Sequence, residues 1–99
     1  MAARRIIWSQ RAKSDLFAIL DFYFQRNGTK AYSSGVNASI RKSIKLLSIY
    51  PNIGKITDVL NVRNLIHGDY LIFYEIKPET IEILTIWDSR QDPERLRIK

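Results

Sequence analysis

Six side chains in the second half of the chain carry chemistry of their own: Arg63, His67, Tyr70, Tyr74, Trp87 and Arg90. An arginine can hold a phosphate in a planar fork, aromatic rings can stack on bases, and His or Tyr can relay a proton. These are the parts of a metal-free ribonuclease, with Arg63, His67, Tyr70 and Arg90 as its catalytic set. The same residues have ordinary structural uses. Tyr70, Tyr74 and Trp87 suit half-buried strands, His67 suits a turn, and Arg63 could pair across strands with Glu75 or Glu82. Other chemistries lack their residues. One histidine and no cysteine give no converging ligand set for a metal and no thiol nucleophile. Gly28, Gly35, Gly54 and Gly68 are scattered rather than gathered in a phosphate loop, and no nucleophile elbow is present. Glu75 and Glu82 could form an acid-base pair, but carboxylates on strands more often solvate them or meet a nearby Lys or Arg. No cofactor is called for.

The elements that must position these residues follow from hydrophobic period. RIIW, residues 5 to 8, reads as a short strand, and Ser9 offers an N-cap. Ala12, Leu16, Ile19, Leu20 and Tyr23 then recur at helical spacing. Asn27-Gly28 ends that helix and Thr29 can cap a second, whose buried stripe is Val36, Ile40, Ile44 and Leu47 and which Pro51 stops. Residues 9 to 50 therefore form a helical hairpin. From Val62 the period becomes two, predicting strands over 62 to 66, 70 to 76 and 81 to 87 joined by tight turns. The segment Asn52 to Asn61 reads as a loop, and Ser89 to Lys99 as a polar, basic tail. The fold class is α+β: a short N-terminal strand, a helical hairpin, then a three-stranded antiparallel meander, with both helices on one sheet face. On the strand 70 to 76, Tyr70, Ile72, Tyr74 and Ile76 alternate with Leu71, Phe73 and Glu75. Both sides are apolar, so periodicity leaves open which meets the helices. Tyr74 and Ile72 read as structural, whereas Arg63, His67 and Trp87 are placed toward the exposed sheet face.

The 99 residues suffice for one domain, 1 to 99, and 45% hydrophobic residues favour a folded chain. The apolar runs are too short to span a bilayer and residues 1 to 20 lack a signal-peptide pattern, which predicts a cytoplasmic protein with no membrane partner. Sixteen Lys and Arg against ten Asp and Glu give a net charge of +6. Arg26 to Lys55 holds six basic residues and no acid, an asymmetry that favours an acidic or polyanionic partner.

The quoted order "YPNIGK" (50 to 55), "VRNLIHGDYLIFYEI" (62 to 76) and "IEILTIWDSRQDP" (81 to 93) resembles the RelE/ParE superfamily of toxins of type II toxin–antitoxin modules, over nearly the whole chain. The resemblance implies a growth-arresting protein neutralised by a cognate antitoxin. RelE-like members cut messenger RNA on the ribosome, and ParE-like members act on DNA gyrase. Carried over by position, Arg63 matches the arginine of the V-R strand and Arg90 the basic residue after the last strand. Leu71 stands where RelE-like nucleases carry an arginine, and Trp87 where many relatives carry a histidine; no tyrosine follows Trp87. The resemblance is thus to ParE more than to RelE. It implies a toxin that binds its target, gyrase, for which Arg63, Trp87 and Arg90 are the expected contacts, while the acid-free span from Arg26 to Lys55 points to Lys30, Arg41, Lys42, Lys45 and Lys55 as the residues that hold the antitoxin. The rival readings are a ribosome-dependent endonuclease, with Arg63, His67, Tyr70 and Arg90 catalytic, and a basic nucleic-acid-binding module without toxicity.

Overall fold

In the computed structural model, which describes residues 3–28, 30–96 and 98, the chain runs β1 (Arg5–Trp8), α1 (Gln10–Asn27), α2 (Lys30–Leu46), a 3-10 turn (Pro51–Ile53), β2 (Lys55–Ile56), β3 (Val62–His67), β4 (Tyr70–Ile76), β5 (Thr80–Asp88) and a second 3-10 turn (Pro93–Arg95). The strands form one sheet in the order β1-β5-β4-β3-β2. Strand β1 lies parallel to β5 and all other pairs are antiparallel. The sheet is therefore mixed and five-stranded, against the expectation of one short strand and a three-stranded meander. The extra strand is two residues long and sits inside the segment 52 to 61 read as a loop, too short for any alternation to show. Helix α2 stops at Leu46 rather than running to Pro51; Leu47, Ser48 and Ile49 continue as turns. The cap expected from Thr29 lies outside the described residues.

Helix α1 starts where Ser9 accepts a hydrogen bond from the Ala12 N–H (3.0 Å). It ends at Gly28, whose left-handed φ of 69° lets its N–H reach the Phe24 carbonyl. The apolar stripes of both helices, Ala12 and Leu16 with Ile40, Ile44 and Leu47, close over Tyr70, Ile72, Tyr74, Ile81, Ile83 and Ile86. The register assigns the faces that periodicity left open. Tyr74 pairs with Ile83, Ile76 with Ile81 and Ile72 with Ile86, so Tyr70, Ile72, Tyr74 and Ile76 face the helices and Leu71, Phe73 and Glu75 face away. Val62 and Phe73 are buried outside that core, so the opposite face is shielded at its centre rather than wholly free.

Between Phe73 and Tyr74 the pairing with β5 skips Leu84, a bulge. A bulge leaves ladder groups unpaired, and here side chains satisfy them. The Ser9 hydroxyl donates to the Leu84 carbonyl (2.9 Å), and one oxygen of Asp15 accepts from the Thr85 hydroxyl (2.5 Å) and the Ile86 N–H (3.0 Å). Ser9 and Asp15 thus bolt the start of α1 to the bulge. Removing Asp15 strands a buried hydroxyl and an N–H together. Asp15→Ala is expected to lower stability by about 2–3 kcal/mol, read as a lower urea midpoint with an unchanged slope.

Candidate functional site

The candidate residues lie on β3, β4 and the end of β5, and the register separates them. Arg63 pairs with Tyr74 and His67 with Tyr70, so Arg63 and His67 sit on the helix-facing side, not on the outer face where the sequence placed them. One slip of register moves every side chain across the sheet, and no sequence signal specified it. Arg63 and His67 are four residues apart on one strand, about 13 Å at the usual rise. Leu71 pairs with Ile66 and Trp87 on the opposite face, so even a cation at position 71 would not join them.

Arg63 has no carboxylate across from it, because Glu75 pairs with Val62 and Glu82 pairs with Glu75. One terminal nitrogen instead donates to the carbonyls of Gly54 (2.8 Å) and Asn52 (3.3 Å). Glu82 meets Lys77 at 2.7 Å. Beside Arg63, the phenol of Tyr74 donates to the Pro51 carbonyl (2.6 Å) and accepts from the Gly54 N–H (3.0 Å). Burial pushes that phenol's pKa up, opposed by the Gly54 N–H and the Arg63 charge. Gly54 has no room for a side chain: an added Cβ would lie 2.5 Å from the Tyr74 oxygen and 2.8 Å from the Asn64 carbonyl. Together Tyr74 and Arg63 clamp the segment 51 to 54.

At the far end of β3, His67 is held between two hydroxyls one turn apart on α2, Ser39 at Nε2 (3.0 Å) and Ser43 at Nδ1 (2.9 Å). Both ring nitrogens are engaged. Tyr70 is buried, and its hydroxyl donates to Tyr23 (3.2 Å). Burial, then the Tyr23 hydrogen bond, raise its pKa well above the usual phenol value, so it stays protonated and cannot serve as a base near neutrality. Arg90 grips Asp88 in a bidentate pair (2.9 and 2.8 Å) and lies 3.9 Å from Asp69. The Arg90 guanidinium holds Asp88 below the usual carboxylate range, and Asp88 raises Arg90 in return. Trp87 is half-buried on the outer face opposite Leu71. A cleft of about 410 Å³ lies between α1 and the end of β5, lined among others by Phe22, Tyr70, Trp87 and Arg90.

Of the basic residues on and after the helical hairpin, Lys30, Arg41, Lys42, Lys45 and Lys55 are all exposed. Arg41 stacks over Trp8 at 5.2 Å and donates to Asn37. Among the described residues, no cluster of three or more His, Cys, Asp or Glu could hold a metal and no helix is long and apolar enough to cross a membrane. Sequence reasoning missed Gly54, Ser39, Ser43, Tyr23 and Asp88 as partners of the candidate residues. Only the last pair left a trace, an acid two residues before Arg90; Gly54 meets Arg63 across nine residues, and the remaining contacts span 20 residues or more.

The clamp predicts that Gly54→Ala destabilises more than Tyr74→Phe. The first forces Tyr74 or the β3 backbone to move, whereas the second loses about 1–2 kcal/mol of hydrogen bonding. Thermal unfolding of the two variants ranks them.

A family model described as "ParE toxin of type II toxin-antitoxin system, parDE" matches residues 6–93. Among solved structures, the chain is similar to one from the chromosomal ParDE TA system from P. aeruginosa, with a TM-score of 0.75 and 25% sequence identity over 85% of this chain and 94% of that chain. No significant match is found among curated proteins.

Proposed function

Since the chain belongs to the ParE family of toxins of type II toxin–antitoxin systems, we propose that it arrests growth in the cytoplasm by binding an essential target, DNA gyrase, and that a cognate antitoxin neutralises it. The observation that carries binding over catalysis is the commitment of the candidate catalytic groups to partners within the fold. Arg63 holds backbone carbonyls, Arg90 holds Asp88, His67 is engaged at both nitrogens, and the Tyr70 hydroxyl donates to Tyr23. Arg63 lies at one end of β3 and the others at its opposite end. A phosphoryl-transfer site needs a cation aimed at the developing charge, and one well-placed donor of that kind is worth about 3 kcal/mol, roughly a hundredfold in rate. Leu71 supplies none.

Purified toxin is expected to inhibit gyrase supercoiling of plasmid DNA while leaving messenger RNA intact in a reconstituted translation system. Rapid cleavage at a defined codon, mapped by primer extension, would replace this reading with the nuclease one. Inhibition of neither gyrase nor translation, with no growth arrest on induction, would leave a basic binding module.

The antitoxin part of the reading rests on the exposed cations Lys30, Arg41, Lys42, Lys45 and Lys55 in a span that holds no acid up to Lys55. An acidic, amphipathic antitoxin segment suits them. Exposed charges are screened within about 8 Å at physiological salt, so the association rate should fall steeply between low and high ionic strength. Stopped-flow rates that stay flat across that range would remove the electrostatic component.

A further inference from the structure

Resting on the binding-toxin reading above, we propose that the target docks on the outer surface of the clamped segment 49 to 60, through Tyr50, Ile53, Ile56 and Leu60. Of the twelve large apolar side chains exposed among the described residues, five lie in this stretch: Ile49, Tyr50, Ile53, Ile56 and Leu60. Leu60 is 83% and Ile56 76% exposed. A single exposed leucine is ordinary, but a run of them on one segment marks an interaction surface. Two clefts meet there, one of about 600 Å³ lined by Ile49, Tyr50 and Ile53 and one of about 430 Å³ lined by Ile56 and Leu60, and Asn52 lines both.

The segment is also held rigidly from beneath. Tyr74 and Arg63 fix the backbone of Pro51, Asn52 and Gly54. Beyond β2, the Thr57 hydroxyl accepts from the Val59 N–H (3.1 Å) and donates to the Val62 carbonyl (2.9 Å), while Asn61, at a left-handed φ of 65°, accepts from the Ile76 N–H (2.8 Å). A preordered apolar surface loses less conformational freedom when it binds. Arg63 is on this account a positioning residue whose removal loosens the docking surface.

The chemistry identifies the partner as a protein surface with an apolar centre and an acidic rim. Aliphatic side chains give nothing to a phosphate backbone, which rules against nucleic acid. Arg4 lines the larger cleft and Lys55 lies within the segment, against the single acid Asp58, so a second copy of this chain would set like charges against each other, whereas an acid-rimmed partner would complement them. Four of the five basic side chains assigned to the antitoxin, Lys30, Arg41, Lys42 and Lys45, lie on α2 and only Lys55 falls within the apolar segment, which leaves most of that segment for the target.

Ile56→Glu and Leu60→Glu change largely exposed side chains and should leave the thermal midpoint within a few degrees of wild type. Each is expected to raise the toxin concentration needed for half-inhibition of gyrase at least tenfold and to abolish growth arrest on induction, while the affinity for the cognate antitoxin stays within threefold. Arg63→Ala should weaken inhibition through the same surface, with Arg63→Lys intermediate. Phe17→Glu, on the exposed side of α1, should remain toxic. If wild-type protein neither arrests growth nor touches gyrase, it is the function that fails. If wild type is toxic and both Glu variants are equally toxic, the docking surface is wrong; loss of antitoxin binding by those variants, or a wild-type dimer that they convert to monomer, overturns it equally, in favour of the antitoxin or a second copy.

Discussion

A tyrosine buried on the sheet and completely closed off from solvent must satisfy its hydroxyl within the protein, and much of the molecule's far edge depends on how Tyr74 does so. Its oxygen takes the Gly54 N–H and gives its proton to the Pro51 carbonyl. That arrangement requires the segment after α2 to fold back over the sheet, requires glycine at 54 because any Cβ would occupy the position of the phenol, and brings the Gly54 carbonyl within reach of Arg63. The two-residue strand β2 follows at once, adding a fifth strand. A hydrogen bond normally contributes only about 1 kcal/mol net, but leaving such a buried group unmet costs more, and that asymmetry makes the arrangement hard to vary piecemeal.

A second constraint operates inside the sheet, where β5 carries a bulge against β4. The groups released there are taken by Ser9 and Asp15, residues at the beginning of α1. Ser9 thereby serves twice, as helix cap and as partner of the Leu84 carbonyl. The turn from β1 into α1 is fixed against the sheet, which directs the stripe of Ala12 and Leu16 onto the core. The helical hairpin and the sheet are joined by polar bonds at their margins and by apolar packing between.

Charge is distributed in a way that matches a protein that works by contact. The guanidinium groups near the sheet are engaged internally, Arg63 with carbonyls and Arg90 with Asp88, while lysines on α2 and at Lys55 remain at the surface. Arginine's rigid fork suits fixed internal geometry and lysine's mobile ammonium suits a partner that approaches through solvent. The apolar residues exposed between Ile49 and Leu60 add a surface of different character beside those lysines.

Much of this architecture was legible in the residues themselves. Period and capping located β1, both helices and the three long strands, because burial of one helix stripe and of alternating strand positions leaves a repeating mark in the chain. Gly28 announced the end of α1 for the same local reason, and the absence of cysteine and the single histidine restricted the chemistry. What the chain could not announce was decided between distant segments. The face presented by β4 to the helices depended on register, since Tyr70, Ile72 and Tyr74 are as apolar as Leu71 and Phe73. The placement of Arg63 and His67 on the covered side followed from that choice. β2 was invisible because two residues show no period, and the uses of Gly54, Ser39, Ser43 and Asp15 were invisible because each is defined by an atom brought to it from elsewhere. Local sequence determines which backbone shapes are cheap, whereas buried polar groups find their partners only when the whole chain has closed around them.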